Sequence, residues 1–295
     1  DTVMQQGGTN GVTYVSYAFH GVEGFSNFGS YVGNGSTQSI VTGFEPAFVI
    51  IKEASTAGSW FMIDNKRGVD KRLLANASDA EGAISGITFL ENGFTLSVLN
   101  SSSTTFIYMA FAADPTTIEP TLEDSFNTVT YTGNGGTQSI TGVGFEPNFV
   151  WIKARTEAEN HYLHDTVRGF DSDGTGGADS YIPLNSNETV AESNFPSTWH
   201  NNYGYLNSID PDGFTVVFGV GSSFDSYNKS GVNYVAWNWK GAELPAINSN
   251  GSIPSVVSAN PAAGFSIVSF TSGSFGSTYG HGLDSAPKVY ILKRR

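Results

Sequence analysis

The chain has no cysteine. Neither a disulfide framework nor a cysteine-based zinc site can form, so stability has to come from core burial, assembly or both. Charge is also scarce: 14% of residues are Asp, Glu, Lys or Arg, against about 25% in ordinary globular domains. What charge there is leans acidic, with 14 Lys and Arg against 27 Asp and Glu and a net charge of −13. Such a chain offers no basic stripe to release counterions from a polyphosphate, which argues against a nucleic-acid partner. No apolar run is long enough to span a bilayer, so membrane insertion is not expected. No signal-peptide pattern opens the chain.

Catalytic signatures are missing too. The five histidines (His20, His161, His164, His200 and His281) are not accompanied by a Gly-x-Ser-x-Gly elbow, a His-Glu-x-x-His pair or a phosphate-cradling loop. A glycosidase needs two carboxylates facing across a cleft; carboxylates are plentiful here, but no strand carries a tight alternating set of them. The expectation is a protein that is not an enzyme.

Glycine is abundant, with 35 copies, and aromatics make up 13% of 295 residues. That balance favours strands and turns over helices. The strongest signal is an internal repeat. Tyr31-Val32-Gly33-Asn34-Gly35-Ser36-Thr37-Gln38-Ser39-Ile40 returns as Tyr131-Thr132-Gly133-Asn134-Gly135-Gly136-Thr137-Gln138-Ser139-Ile140. Gly43-Phe44-Glu45-Pro46-Ala47-Phe48-Val49-Ile50-Ile51-Lys52 returns as Gly144-Phe145-Glu146-Pro147-Asn148-Phe149-Val150-Trp151-Ile152-Lys153. Asp64 and Arg67-Gly68 match Asp165 and Arg168-Gly169, and Asn92-Gly93-Phe94 matches Asp212-Gly213-Phe214. Tyr108-Met109-Ala110-Phe111 aligns with Tyr234-Val235-Ala236-Trp237. Tyr14–Phe19 reads as the closing strand of an earlier copy, and Phe265–Thr271 with Ala286–Lys293 as the opening of a later one.

The first copy reads as strands near 28–33, 38–42, 47–53, 59–64, 72–76, 86–91, 93–99 and 104–113. Asn-Gly and Asp-Gly supply the positive φ of tight hairpins. Phe48-Val49-Ile50-Ile51 is continuously apolar, as in a strand buried on both faces. The fold class expected is all-β, with tandem antiparallel β-sandwich modules of jelly-roll kind. A propeller with two blades per copy is the competing reading. The organisation expected is a closing strand of a truncated module (1–26), a first sandwich (27–115), a linker (116–124), a second sandwich with loop insertions (125–241), a linker (242–263) and the opening strands of a truncated third module (264–295). Both ends are read as cut.

These blocks resemble an uncharacterised tandem β-repeat module of tail-fibre-like and structural proteins of marine bacteriophages. The matching residues are Tyr-x-Gly-Asn-Gly, Gly-Phe-x-Pro-x-Phe-Val-x-Ile-Lys at 43–52 and 144–153, Asp-x-x-Arg-Gly, Tyr-x-Ala-Trp at 234–237, and Gly280-His281-Gly282-Leu283 with Ala286-Pro287-Lys288. The resemblance covers nearly the whole chain. It implies a virion-associated or extracellular, non-enzymatic protein that faces a host, and it brings no catalytic residues with it.

Two loops carry the candidate sites. Phe195-Pro196-Ser197-Thr198-Trp199-His200-Asn201-Asn202-Tyr203-Gly204-Tyr205 falls in extra sequence that the second copy holds between Asn185 and Ile209. Aromatics interleaved with Asn suit stacking on sugars and recognition of hydroxyls, so Trp199, His200, Tyr203 and Tyr205 are the candidate ligand residues. The opposing reading folds Trp199 back onto its own module as a plug. Asp171, Asp173 and Asp179 on a Gly-rich loop are the candidate ligands for calcium, the one cofactor considered. The pattern is not an EF-hand, and a solvated loop is the plainer reading.

His161 and His164 stand three apart and point to opposite faces of a strand, which argues against a shared metal and for ordinary surface histidines. Asp64 with Arg67 and Asp165 with Arg168 read as turn caps with a paired Arg. The partners expected are a host cell-surface receptor or glycan, other virion proteins and further copies of the chain in a homo-oligomer. A secreted or cell-surface bacterial adhesin with carbohydrate-binding modules is the main alternative. The non-catalytic part of a glycan-cleaving enzyme is the third.

Overall fold

The structure, a computed structural model, describes residues 2–5, 9–112, 125–171, 180–192, 202–219 and 226–295, the side chains of 170, 171, 180 and 181 excepted. The chain begins with β1 (Val3–Gln5) and β2 (Thr13–Phe19). The first repeat supplies β3 (Ser26–Val32), β4 (Gln38–Val41), β5 (Phe48–Glu53), β6 (Trp60–Asp64), β7 (Lys71–Leu74), β8 (Gly82–Ala83), β9 (Ile87–Leu90), β10 (Gly93–Leu96) and β11 (Thr105–Phe111). The second supplies β12 (Phe126–Thr132), β13 (Thr137–Ile140), β14 (Phe149–Ala154), β15 (Tyr162–Asp165), β16 (Phe170–Asp171), β17 (Ser180–Tyr181), β18 (Leu184–Asn185), β19 (Tyr205–Asp210), β20 (Gly213–Val217) and β21 (Asn233–Trp239). Last come β22 (Ala246–Asn248), β23 (Ser255–Asn260), β24 (Phe265–Thr271), β25 (Thr278–Gly280) and β26 (Val289–Arg294).

Each repeat folds into a large and a small antiparallel sheet. The order is β3-β11-β5-β6-β7-β8 over β4-β10-β9 in the first, and β12-β21-β14-β15-β18 over β13-β20-β19 in the second. The β5 and β14 strands, opened by Phe48 and Phe149, hold the same sheet position. The repeated Tyr-x-Gly-Asn-Gly block locks one corner. A Cβ on Gly33 would come within 2.1 Å of the Ser101 carbonyl, and one on Gly133 within 2.2 Å of the Lys229 carbonyl. Only glycine permits that approach. The Asn34 amide then donates to Asn100 Oδ1 (3.1 Å), and the Asn134 amide to Asn228 Oδ1 (3.0 Å).

The continuous apolar run of β5 is explained by what lies on each side. Val49 and Ile51 face the small sheet and pack with Phe94 and Leu96. Phe48 and Ile50 face the other way, into a core shared with the rest of the chain. In the second repeat, Val150 and Ile152 pack inside the sandwich while Phe149 and Trp151 join the shared core.

The chain termini build a third sandwich. Its large sheet runs β22-β23-β24-β2-β26, and β1 pairs with β25 to make the small one. Strand β2 sits between β24 and β26, as β11 sits between β3 and β5. Equivalent backbone bonds fix the correspondence: Ala47 N to Phe111 O, Asn148 N to Trp239 O, and Lys288 N to Phe19 O. The closing strand of one end and the opening strands of the other thus complete each other within a single chain. Residues 242–263 are not simply a linker, because β22 and β23 lie within them and cover the edge of β24. Val256 and Val257, flanked by serines, give that stretch its strand character.

The three large sheets turn their second faces toward one another. Phe19, Phe111 and Trp239 hold the same position in the three sandwiches, and their ring centroids lie 5.7–6.0 Å apart. This correspondence corrects the alignment of the closing strands by two residues. Phe106 matches Tyr234 and Phe111 matches Trp239, because the pairing partners Glu53 with Ala154, and Phe48 with Phe149, set the register. A shift of two keeps every side chain on its face, so sequence alone does not resolve it.

Candidate functional site

The contacts between sandwiches follow one pattern, made twice. Asp64 accepts from the Arg67 amide (2.8 Å) and from Arg67 Nε (2.6 Å), while Arg67 Nη2 donates to the Met62 carbonyl (3.0 Å). This is the capped turn with its paired Arg. It also reaches outward. Trp237 of the second sandwich donates from Nε1 to Asp64 Oδ2 (3.1 Å) and lies under the Arg67 guanidinium (5.4 Å). Glu81 joins Arg67 Nη1 (3.1 Å) to Arg155 of the second sandwich (2.9 and 3.0 Å). Burial works against the Glu81 charge, but the hydrogen bonds and charges of Arg155 and Arg67 outweigh it and hold the carboxyl below its usual range.

The second and third sandwiches repeat the ladder. Arg168 donates to Asp165 from its amide (2.8 Å) and Nε (2.5 Å). Tyr17 OH donates to Asp165 Oδ2 (2.7 Å), and Arg295 Nε to Glu192 (2.6 Å). Burial and the neighbouring Asp165 carboxylate push the Tyr17 hydroxyl well up, so it remains a donor. Stacking repeats as well: Phe48 on Trp237 at 5.4 Å, Phe149 on Tyr17 at 4.2 Å.

The third interface, between the third and first sandwiches, is built differently. The position of Trp237 and Tyr17 is held by Met109, that of Arg155 and Arg295 by Ala54, and that of Phe48 and Phe149 by Val289. Neither Met nor Ala can make the polar ladder. Strand β26 is the outermost of its sheet, whereas β5 and β14 are covered by β6 and β15. Val289 and Ile291 are only half-buried and Tyr290 is 55% exposed. A groove of two adjoining hollows, about 290 and 220 Å3, runs along this seam. Ile50, Trp60, Met109 and Val289 line both hollows, and Lys288 stands at the rim.

The residues expected to bind a ligand are only partly placed. Trp199, His200, Asp173 and Asp179 lie outside the described residues. Asp171 is placed by its backbone alone, opposite Ser180 where β16 meets β17. Tyr203 lies just before β19, and its carbonyl accepts from the Ser226 amide (2.9 Å). Tyr205 opens β19 opposite Val217, and burial raises its hydroxyl pKa. Both rings are partly buried. Among the described residues, no three His, Asp or Glu side chains come together in a cluster able to hold a metal ion.

His161 and His164 are not surface histidines; both are fully buried. The two rings do lie on opposite faces of the sheet. His161 Nδ1 accepts from Trp151 Nε1 (2.8 Å) on the shared-core side, while His164 Nε2 bonds Tyr227 OH (3.1 Å) inside the sandwich. Burial, with the Lys153 charge adding to it, drives the His161 pKa well down. Lys153 is buried as well, and it ties the Ala154 carbonyl (2.6 Å) to the Glu157 carbonyl (3.3 Å). Burial lowers its pKa to about 8, with partial opposition from Glu159.

The inter-sandwich ladder is what the sequence reading missed. A signal was there: Lys153-Ala154-Arg155 and Lys293-Arg294-Arg295 share Lys-x-Arg, where the first copy has Lys52-Glu53-Ala54. No curated protein and no solved structure matches the chain. A family profile matches residues 2–115 and 121–295, and the chain belongs to that family, described as Domain of unknown function (DUF7483).

Proposed function

We propose that the chain is a non-enzymatic display and adhesion protein of the virion-surface, tail-fibre-like kind, which presents loops of its second sandwich to host-surface glycans. The observation that carries this reading is where the two repeats differ. Eight strands of each framework correspond around one core, and the extra length of the second falls in three connections: between β15 and β18, between β18 and β19, and between β20 and β21. Variation confined to loops on a constant scaffold is how binding surfaces are diversified. The extra sequence between β18 and β19 brings Trp199, His200, Tyr203 and Tyr205 together with asparagines, a composition suited to stacking on sugar rings. A framework held by a shared aromatic core fixes the flanking strands β18 and β19, and modest single contacts gain strength over several copies on one particle.

The test is binding of the purified chain to host-cell envelopes and to a panel of surface polysaccharides. Trp199→Ala and Tyr203→Ala should each weaken binding about tenfold or more while the melting temperature stays within a degree or two. Retention of binding by the double variant, or release of cleaved oligosaccharide, would overturn the reading.

A further inference from the structure

The seam between β26 and the first sandwich has two worked examples in the same chain. Strand β6 lies antiparallel on β5, placing Met62 opposite Ile50 and Asp64 opposite Phe48. Strand β15 lies on β14, placing Leu163 opposite Trp151 and Asp165 opposite Phe149. In both, the inward side chains enter the shared core. At β26 the counterparts of Ile50 and Phe48 are Ile291 and Val289, and among the described residues no strand pairs with its outer edge. The groove beside it is where the aliphatic of such a strand would go, because Ile50, Met109, Val289 and Ile291 line it.

Charge adds a direction. The chain is acidic, with a net charge of −13, yet this edge is bounded by Lys288 and Arg294. Both are exposed, and neither makes an ion pair within the described residues. The antiparallel register of β6 on β5 would bring the carboxylate at the end of an incoming strand to the Val289 end, beside Lys288.

We propose that the outer edge of β26 and the adjoining groove form an acceptor site for one extended β-strand of the same module type, apolar at its inward positions and ending in Asp. The affinity comes from main-chain pairing, and the selectivity from the groove and Lys288. Because Met109 and Ala54 stand where Trp or Tyr and Arg complete the other two interfaces, the incoming Asp is matched by Lys288 rather than by a buried ladder.

The probe is a labelled synthetic peptide of residues 58–68, which carries Trp60, Met62 and Asp64, titrated into the full chain by fluorescence anisotropy. Amide hydrogen exchange of Val289–Arg294 is followed in parallel. Saturable binding in the micromolar range, with slowed exchange across β26, is expected. Met62→Pro in the peptide should abolish binding. Lys288→Glu in the protein, a surface change that leaves the fold intact, should weaken it about fivefold or more and flatten its salt dependence. No binding up to about 1 mM, or binding without protection of β26, would overturn the proposal. So would protection of β26 that rises with protein concentration in the absence of peptide, which would assign the edge to a second copy of the chain.

Discussion

Two of the three interfaces in this molecule are sealed by polar ladders, and the third is an apolar groove. The sealed pair share Asp, Arg and Glu on one side and an aromatic donor with a second Arg on the other. The groove has Met109 and Ala54 in the receiving positions. The difference lies in these side chains and also in the frame, because among the described residues β26 has no covering strand like β6 on β5 and β15 on β14. It teaches that the shared aromatic centre assembles the three sandwiches, and that the ladders specify which faces meet. A buried charge pair is weak evidence of net stability, but removing one member leaves an uncompensated buried charge and is strongly destabilising.

The largest effect should come from removing what all three sandwiches share. Trp239→Ala deletes the ring that meets Phe19 and Phe111, and should cost roughly 3–5 kcal/mol in denaturant unfolding. A loss confined to the second sandwich, with the other two unaffected, would show the centre to be three separate cores.

Next comes a ladder against the groove. Asp64→Ala removes the carboxylate that pairs with the buried Arg67 and accepts from Trp237, leaving Glu81 as the remaining ion-pair partner, and should cost about 3 kcal/mol, whereas Met109→Leu at the groove should cost less than about 1.5 kcal/mol. Equal losses in thermal melts would erase the distinction between the interfaces. A finer version uses Tyr17→Phe, which removes only the hydroxyl that donates to Asp165, at about 1–2 kcal/mol.

The smallest effect is a pH signature. The folded-state pKa of Lys153 lies below that of the unfolded chain, so the unfolded state binds more protons between about pH 8 and the ordinary lysine range. Stability contributed by this group therefore rises as pH increases through 8. From pH 7.5 to 9.0 the native chain should gain about 1 kcal/mol relative to Lys153→Met. Parallel stability curves for the two proteins would place the lysine in water instead.

Much of the fold was legible because repetition does the work of an alignment. Phe48-Val49-Ile50-Ile51 announced a strand buried on both faces, and the structure supplies the second face as the shared core. The Gly33 and Gly133 corners and the Asp64–Arg67 turn followed from local chemistry. What was illegible is long-range. The repeat marks Tyr14–Phe19 and Phe265–Lys293 as complementary parts of one module, but whether they pair within one chain or between copies is set by tertiary closure rather than local pattern. The burial of His161 and His164 was missed for the same reason: Trp151 and Tyr227 come from other strands. Of the candidate ligand residues, Tyr203 and Tyr205 are placed on or beside β19, while Trp199 and His200 rest on the sequence argument.

The claim on which the rest stands is that one chain closes its own third sandwich, with β2 as the middle strand. Hydrogen exchange on a dilute sample, monomeric by sedimentation, tests it directly. The account predicts that the amides of Tyr14–Phe19 and Ser266–Phe270 exchange as slowly as those of β11 and β21, with protection independent of concentration. Free exchange of both segments in the monomer, while β11 and β21 stay protected, would contradict it.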